Sequence, residues 1–145
     1  MRTGILKASL TRAGLVAVAS AVLAAVGLQA AMASPNQLTG AQEVPPVATS
    51  AAASSTVAVH DDLSVTGAVE TMGIDGVSAH IHAGKAGTNG PVIVPLTKSS
   101  ANQWSVPPGT KLTQEQFQDY KAGHLYVNVH SAAHPSGEIR LQLVP

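Results

Sequence analysis

The chain has 145 residues, with eight Lys and Arg against eight Asp and Glu, 3% aromatic residues and no cysteine, which excludes disulfides, thiolate metal sites and cysteine nucleophiles. The balanced charge is a sum of unlike parts: Arg2, Lys7 and Arg12 stand at the amino terminus, and the remainder carries five cations against eight carboxylates. A mildly acidic chain without a basic cluster excludes nucleic acid as a partner, because phosphate contacts need concentrated Lys and Arg.

The three amino-terminal cations precede an uncharged run from Ala13 to Leu28, then Ala31-Met32-Ala33 and Ser34-Pro35. A basic start, a short apolar stretch and small residues at a cleavage point form the pattern of a secretory signal peptide. The run is also short against the ~20 residues that a membrane span needs. The expectation is a signal peptide over 1–33 and a mature domain over 34–145, periplasmic or secreted, with no membrane attachment after cleavage. The mature part suffices for one modest core and not for two.

Ser34 to Ser55 is rich in Ala, Ser, Thr and Pro, and Pro45-Pro46 disfavours helix, so this stretch is expected to start with a short edge strand. From Thr56 the pattern has period two: Val57 and Val59, then Leu63, Val65 and Val69, then Val77, Ala79 and Ile81, as half-buried strands present. Asp61-Asp62 reads as a tight turn, and Gly73 to Gly76 and Gly84 to Pro91 as turns or loops. Another strand is expected over Pro91 to Leu96, and Trp104 lies in a shorter segment ending at Pro107-Pro108-Gly109. Thr113 and Gln116 match a capping box, which predicts a helix of about two turns with Phe117 and Tyr120 on one face and Gly123 as its stop. Alternation resumes at Leu125, Val127 and Val129, and again at Ile139, Leu141 and Leu143 after a turn over 132–137. Many short strands between Gly and Pro turns predict an all-β fold, an antiparallel β-sandwich with one short helix.

The histidines carry the functional signal: His60, His80, His82, His124, His130 and His134 all fall within the mature domain. Residues two apart on a strand project to one face about 7 Å apart, so His80 and His82 can aim at a common point while Ile81 faces the core. The same parity puts Val77, Ala79 and Ile81 inside with Ser78, His80 and His82 outside, and Leu125, Val127 and Val129 inside with His124, Tyr126, Asn128 and His130 outside. If the two strands are neighbours, His130 supplies a third nitrogen to a copper or zinc ion, with iron as a further choice, at the ~2 Å bond length such ions require. His134, in the following turn, is a fourth candidate. A His-x-His pair on an exposed strand face also occurs without metal. His60 and His124 read as surface residues, and Glu138 and Arg140, sharing a strand face, are expected to pair ionically with each other or across the sheet.

Four segments carry a family resemblance: Leu38-Thr39-Gly40-Ala41-Gln42-Glu43-Val44-Pro45-Pro46-Val47; Ala79-His80-Ile81-His82-Ala83-Gly84 with Gly87-Thr88-Asn89-Gly90-Pro91-Val92; Gly123-His124-Leu125-Tyr126-Val127-Asn128-Val129-His130; and Pro135-Ser136-Gly137-Glu138-Ile139-Arg140. In this order they resemble the CHRD (chordin-domain) family, whose bacterial members are typically exported with a single copy. Leu141 stands where the family commonly has Gly, and His134 where a polar residue such as Asn is more usual. The resemblance implies an extracytoplasmic β-sandwich more firmly than an activity.

The His-x-His strand before a Gly-rich loop is also similar to the metal strand of copper-zinc superoxide dismutases, which implies a Greek-key-like architecture. That enzyme class also uses a disulfide and a zinc-binding Asp in the long loop, whereas this chain has no Cys and its Gly84 to Pro91 loop has no carboxylate. No Gly-x-Ser-x-Gly elbow and no paired carboxylates point to a hydrolase. Three readings stand: an exported metal-binding protein for storage, delivery or protection; an extracellular protein-binding or adhesion module without metal; and a dismutase-like redox enzyme. The first leads, and the balance leans away from an enzyme.

Overall fold

The alternating apolar residues pair into strands whose inner faces close over one another, as the computed structural model of residues 36–145 shows; the expected signal peptide over 1–33 lies outside the described residues. The strands are β1 (Gln37–Thr39), β2 (Ala52–Ser55), β3 (Ala58–Val59), β4 (Val65–Thr66), β5 (Ala68–Met72), β6 (Gly76–Ala83), β7 (Val92–Pro95), β8 (Thr97–Ser100), β9 (Gln103–Ser105), β10 (Leu125–Ser131) and β11 (Ile139–Leu143), with helix α1 at Gln114–Lys121. Nine of them form one antiparallel sheet in the order β7-β6-β10-β11-β1-β2-β5-β9-β8, and β3 with β4 makes a separate pair. Sequence-distant neighbours, β6 beside β10 and β1 between β11 and β2, give the Greek-key-like order.

A single residue nearly closes this sheet. Its two edges, β7 and β8, are consecutive in the chain and separated only by Leu96, whose N–H donates to the Ala79 carbonyl at 2.9 Å. The run from Val92 to Ser100 therefore pairs first with β6 and then with β9, folding the sheet into a sandwich and leaving few open edges. Inside lie Leu38, Val69, Ile81, Trp104, Val127 and Ile139.

The helix is as expected: the Thr113 hydroxyl accepts from Gln116 N at 3.1 Å and the Gln116 side chain accepts from Thr113 N at 2.9 Å. Among the described residues no helix is long and apolar enough to cross a membrane.

Several local expectations are corrected. The first strand is no edge: β1 lies between β11 and β2, with Leu38 fully buried. The run from Leu63 to Val69 is not one strand. Leu63 sits in the turn at φ 70°, and Gly67, at φ 108°, comes so close to the Thr56 carbonyl that no side chain fits, splitting the run into β4 and β5. Val77, assigned to the core, is 58% exposed. His130 pairs with Ser78 and Ser131 with Gly76, so Val77 is the extra residue of a β-bulge and turns outward. Strand β8, wholly exposed, has no apolar alternation by which to find it.

Leu38→Ala is expected to cost about 2–5 kcal/mol, as for a buried leucine truncated inside a packed sheet. Thr113→Ala should cost about 1 kcal/mol through the lost cap. Urea unfolding of the two variants checks the ranking; an equal cost would contradict the central placement of β1.

Candidate metal centre

The two strands that parity singled out are neighbours. In the β6–β10 ladder His82 faces Tyr126, His80 faces Asn128 and Ser78 faces His130, so His130 lies diagonally across from His80 on the same face. The diagonal brings three imidazoles together. His80 Nδ1 is 3.1 Å from His130 Nε2, ring centroids are 4.9 Å apart for His80 and His130 and 5.6 Å for His80 and His82, and one nitrogen from each of the three rings falls within 4.8 Å of the others.

The polar face on which they sit is not open, as an outward strand face would be. His82, Asn128, His130, Tyr126 and Arg140 are all buried, and only His80 is partly exposed. The cover comes from the 84–91 loop and the segment around Glu43. Arg140 Nη1 donates to the Thr88 carbonyl at 2.9 Å and Nη2 to the Lys85 carbonyl at 3.2 Å and to Gln142 Oε1 at 3.0 Å, while Asn89 Nδ2 donates to the Val44 carbonyl at 2.7 Å. The guanidinium also lies 3.4 Å from the centroid of Tyr126, whose ring stacks on His82 at 4.7 Å.

Each loop then fixes one imidazole. His82 Nδ1 lies 2.9 Å from the Gly90 carbonyl, and His130 Nδ1 lies 2.9 Å from the Pro135 carbonyl. A carbonyl only accepts, so each ring presents N–H there and turns the Nε2 lone pair inward. His82 Nε2 is buried without any hydrogen-bond partner. A metal-binding histidine is held in this manner, with the far nitrogen donating to a carbonyl and the near one free to ligate.

Of the four histidines assigned to the site, the structure gathers His80, His82 and His130. His134 is outside this group; its backbone shapes the turn, with N–H donating to Ser131 Oγ at 3.2 Å. His60 and His124 are exposed, as expected. The expected pairing of Glu138 with Arg140 is corrected. Glu138 accepts from Ser131 Oγ, and from Thr49 Oγ1 at 2.7 Å, pinning the turn, whereas Arg140 binds the 84–91 loop. Among the described residues the ion pair within 4.0 Å is Lys111 with Asp62. Sequence reasoning placed Asn128 and Tyr126 on this face but gave them no role, and it missed Glu43, which a remote segment brings in.

Burial holds the His80 imidazole below its usual range, helped by the neighbouring His130 and His82, and burial also lowers His82 against the opposing effect of the Gly90 carbonyl. Both rings are thereby kept neutral, the form that can donate a lone pair. For the metal-free protein the unfolded chain, with imidazoles near the ordinary value of about 6.5, takes up these protons first as pH falls. Their contribution is therefore complete above about pH 6.5 and is lost as pH drops from there toward the depressed folded values. Urea unfolding in chelator at a series of pH values should show the decline, and the His80→Ala/His82→Ala protein, less stable throughout, should show a shallower one. An unchanged slope would contradict the burial of these rings.

A family model described as the CHRD domain matches residues 35–143, nearly the whole described chain. The curated proteins and the solved structures give no match. The match spans all four sequence segments and every residue of the three-imidazole cluster, and the chain belongs to the CHRD-domain family.

Proposed function

We propose that this is an exported metal-binding domain, holding a copper or zinc ion through His80, His82 and His130 for storage, delivery or protection. The observation that supports it most is the buried, partnerless Nε2 of His82, directed to two other imidazoles and backed by a carbonyl on its far side. A buried polar atom without a partner costs about 1–3 kcal/mol, and a bound cation would remove that cost. Three nitrogen donors without thiolate suit Cu(II) or Zn(II).

The same geometry favours binding over turnover. His82 and His130 are 7% and 8% exposed, so a substrate would reach an ion there only past His80. The loop over the site contributes carbonyls and no carboxylate, which removes the second metal position that a dismutase-like centre would need.

Binding of Zn(II) or Cu(II) is expected at one ion per chain, measured by calorimetry and by elemental analysis after dialysis. At 100 times Kd the ion should stabilise the fold by about 2.7 kcal/mol. His80→Ala and His82→Ala should each abolish that gain, and binding should weaken as pH falls through the imidazole range, because a protonated ring has no lone pair to give. Equal, weak uptake by wild type and both variants overturns the reading.

A further inference from the structure

Resting on the three-imidazole reading, we infer that Asn128 supplies the fourth ligand, its side-chain oxygen, and that buried Glu43 is the positioning residue that turns this oxygen toward the ion. The site is then a closed N3O centre. Asn128 lies directly across the ladder from His80, between Tyr126 and His130 on the same strand face, and is 2% exposed. Its Oδ1 is 3.0 Å from His130 Nε2.

That contact is informative because His130 Nδ1 already faces the Pro135 carbonyl. Both nitrogens of one ring thus face oxygens that accept, and a neutral imidazole has one N–H to give. With that N–H committed to Pro135, the lone pairs of His130 Nε2 and Asn128 Oδ1 converge side by side. Two donors stand in this relation when they share a cation. Bonds of ~2.0–2.1 Å in a tetrahedral site place neighbouring donors ~3.3 Å apart. The observed 3.0 Å from His130 Nε2 to Asn128 Oδ1, and 3.1 Å from it to His80 Nδ1, are close to that spacing.

Glu43 decides which end of the amide faces the histidines. Its carboxylate is 4% exposed and lies on the side of the Asn128 amide where Nδ2, the only donor of that side chain, is found, both facing Gly137. The oxygen must then turn the other way. Gly137 makes room for the pair: at φ 124°, a side chain there would lie 2.5 Å from Glu43 Oε1 and 2.7 Å from Asn128 Nδ2. Glu43 Oε1 itself is buried and has no hydrogen-bond partner.

The test loads Co(II), whose visible bands report coordination, into the purified wild type and into Asn128→Ala, Asn128→Asp and Glu43→Gln. Asn128→Ala should weaken Co(II) and Zn(II) binding about 10- to 100-fold and shift the visible bands. It should also open the vertex, so that added azide changes its spectrum and leaves that of wild type unaltered. Asn128→Asp, which keeps an oxygen there, should bind at least as tightly as wild type, and it serves as the folded comparison should the Ala variant unfold. Glu43→Gln should weaken binding about 10-fold. An Asn128→Ala protein with wild-type affinity and spectrum, an azide response in wild type, or a folded Asn128→Asp protein that loses the ion overturns the assignment of Asn128. Wild-type affinity in Glu43→Gln overturns the part given to Glu43. A wild type that takes up no Co(II), Zn(II) or Cu(II) overturns the three-imidazole reading itself, a result separable from all of these.

Discussion

The outer face of β6, β10 and β11 is organised around one buried cation. Arg140 is 1% exposed, and its guanidinium reaches the carbonyls of Lys85 and Thr88 and the side-chain oxygens of Asn89 and Gln142 while resting on the ring of Tyr126. Burying a charge is costly unless its hydrogen bonds are replaced, and the planar fork of arginine can meet several acceptors at once where a lysine ammonium could neither fork nor stack. Three of the four acceptors belong to the 84–91 loop, two of them backbone carbonyls, so satisfying the cation and folding that loop onto the sheet are one event. The nearby Glu43 carboxylate acts on Arg140 through space, without a contact at ion-pair distance, and offsets part of the cost of burial.

From that loop the constraint passes to the histidines. Once Arg140 holds Lys85 and Thr88, the Gly90 carbonyl is placed beside His82 Nδ1, and the ring stacks on the face of Tyr126. On the far side, Glu138 and Ser131 hold the 131–137 turn so that the Pro135 carbonyl meets His130 Nδ1. Three buried polar side-chain atoms among the described residues lack partners: Trp104 Nε1, His82 Nε2 and Glu43 Oε1. Two of these three border the site. A network that meets its needs elsewhere and leaves lone pairs around one point is what the proposed cation site rests on.

Much of the strand content was legible because period two is a local property. The core positions Ala79, Ile81, Leu125, Val127, Val129, Ile139, Leu141 and Leu143 follow from alternation, and His80, His82, Asn128 and His130 follow from the same parity as its complement. Parity states which residues share a face; it does not state what covers that face. The burial of His82 and His130 depends on loops bonded across more than forty positions, such as Asn89 to Val44 and Arg140 to Thr88, which no short window contains. Glu43 was illegible for the same reason, lying in a Pro-rich segment with no period. The misplaced Val77 shows the limit of parity itself, since one bulged residue inverts the face assignment from there back to the start of the strand at Gly76.

That bulge falls beside His130, where the ladder shifts between His130 and Ser131. A bulge increases the local twist, and here the regular register that carries His130 ends at it. Without the shift, the alternation of β6 and β10 would continue past His130 in regular register, and Val77 would point inward at the level where Gly76 now packs against Trp104 and Val129. The bulge thus puts a small residue against the indole inside and sends Val77 outward. The three rings are carried by paired strands, and two of them are oriented by loop carbonyls, the kind of rigid support that the proposed site needs.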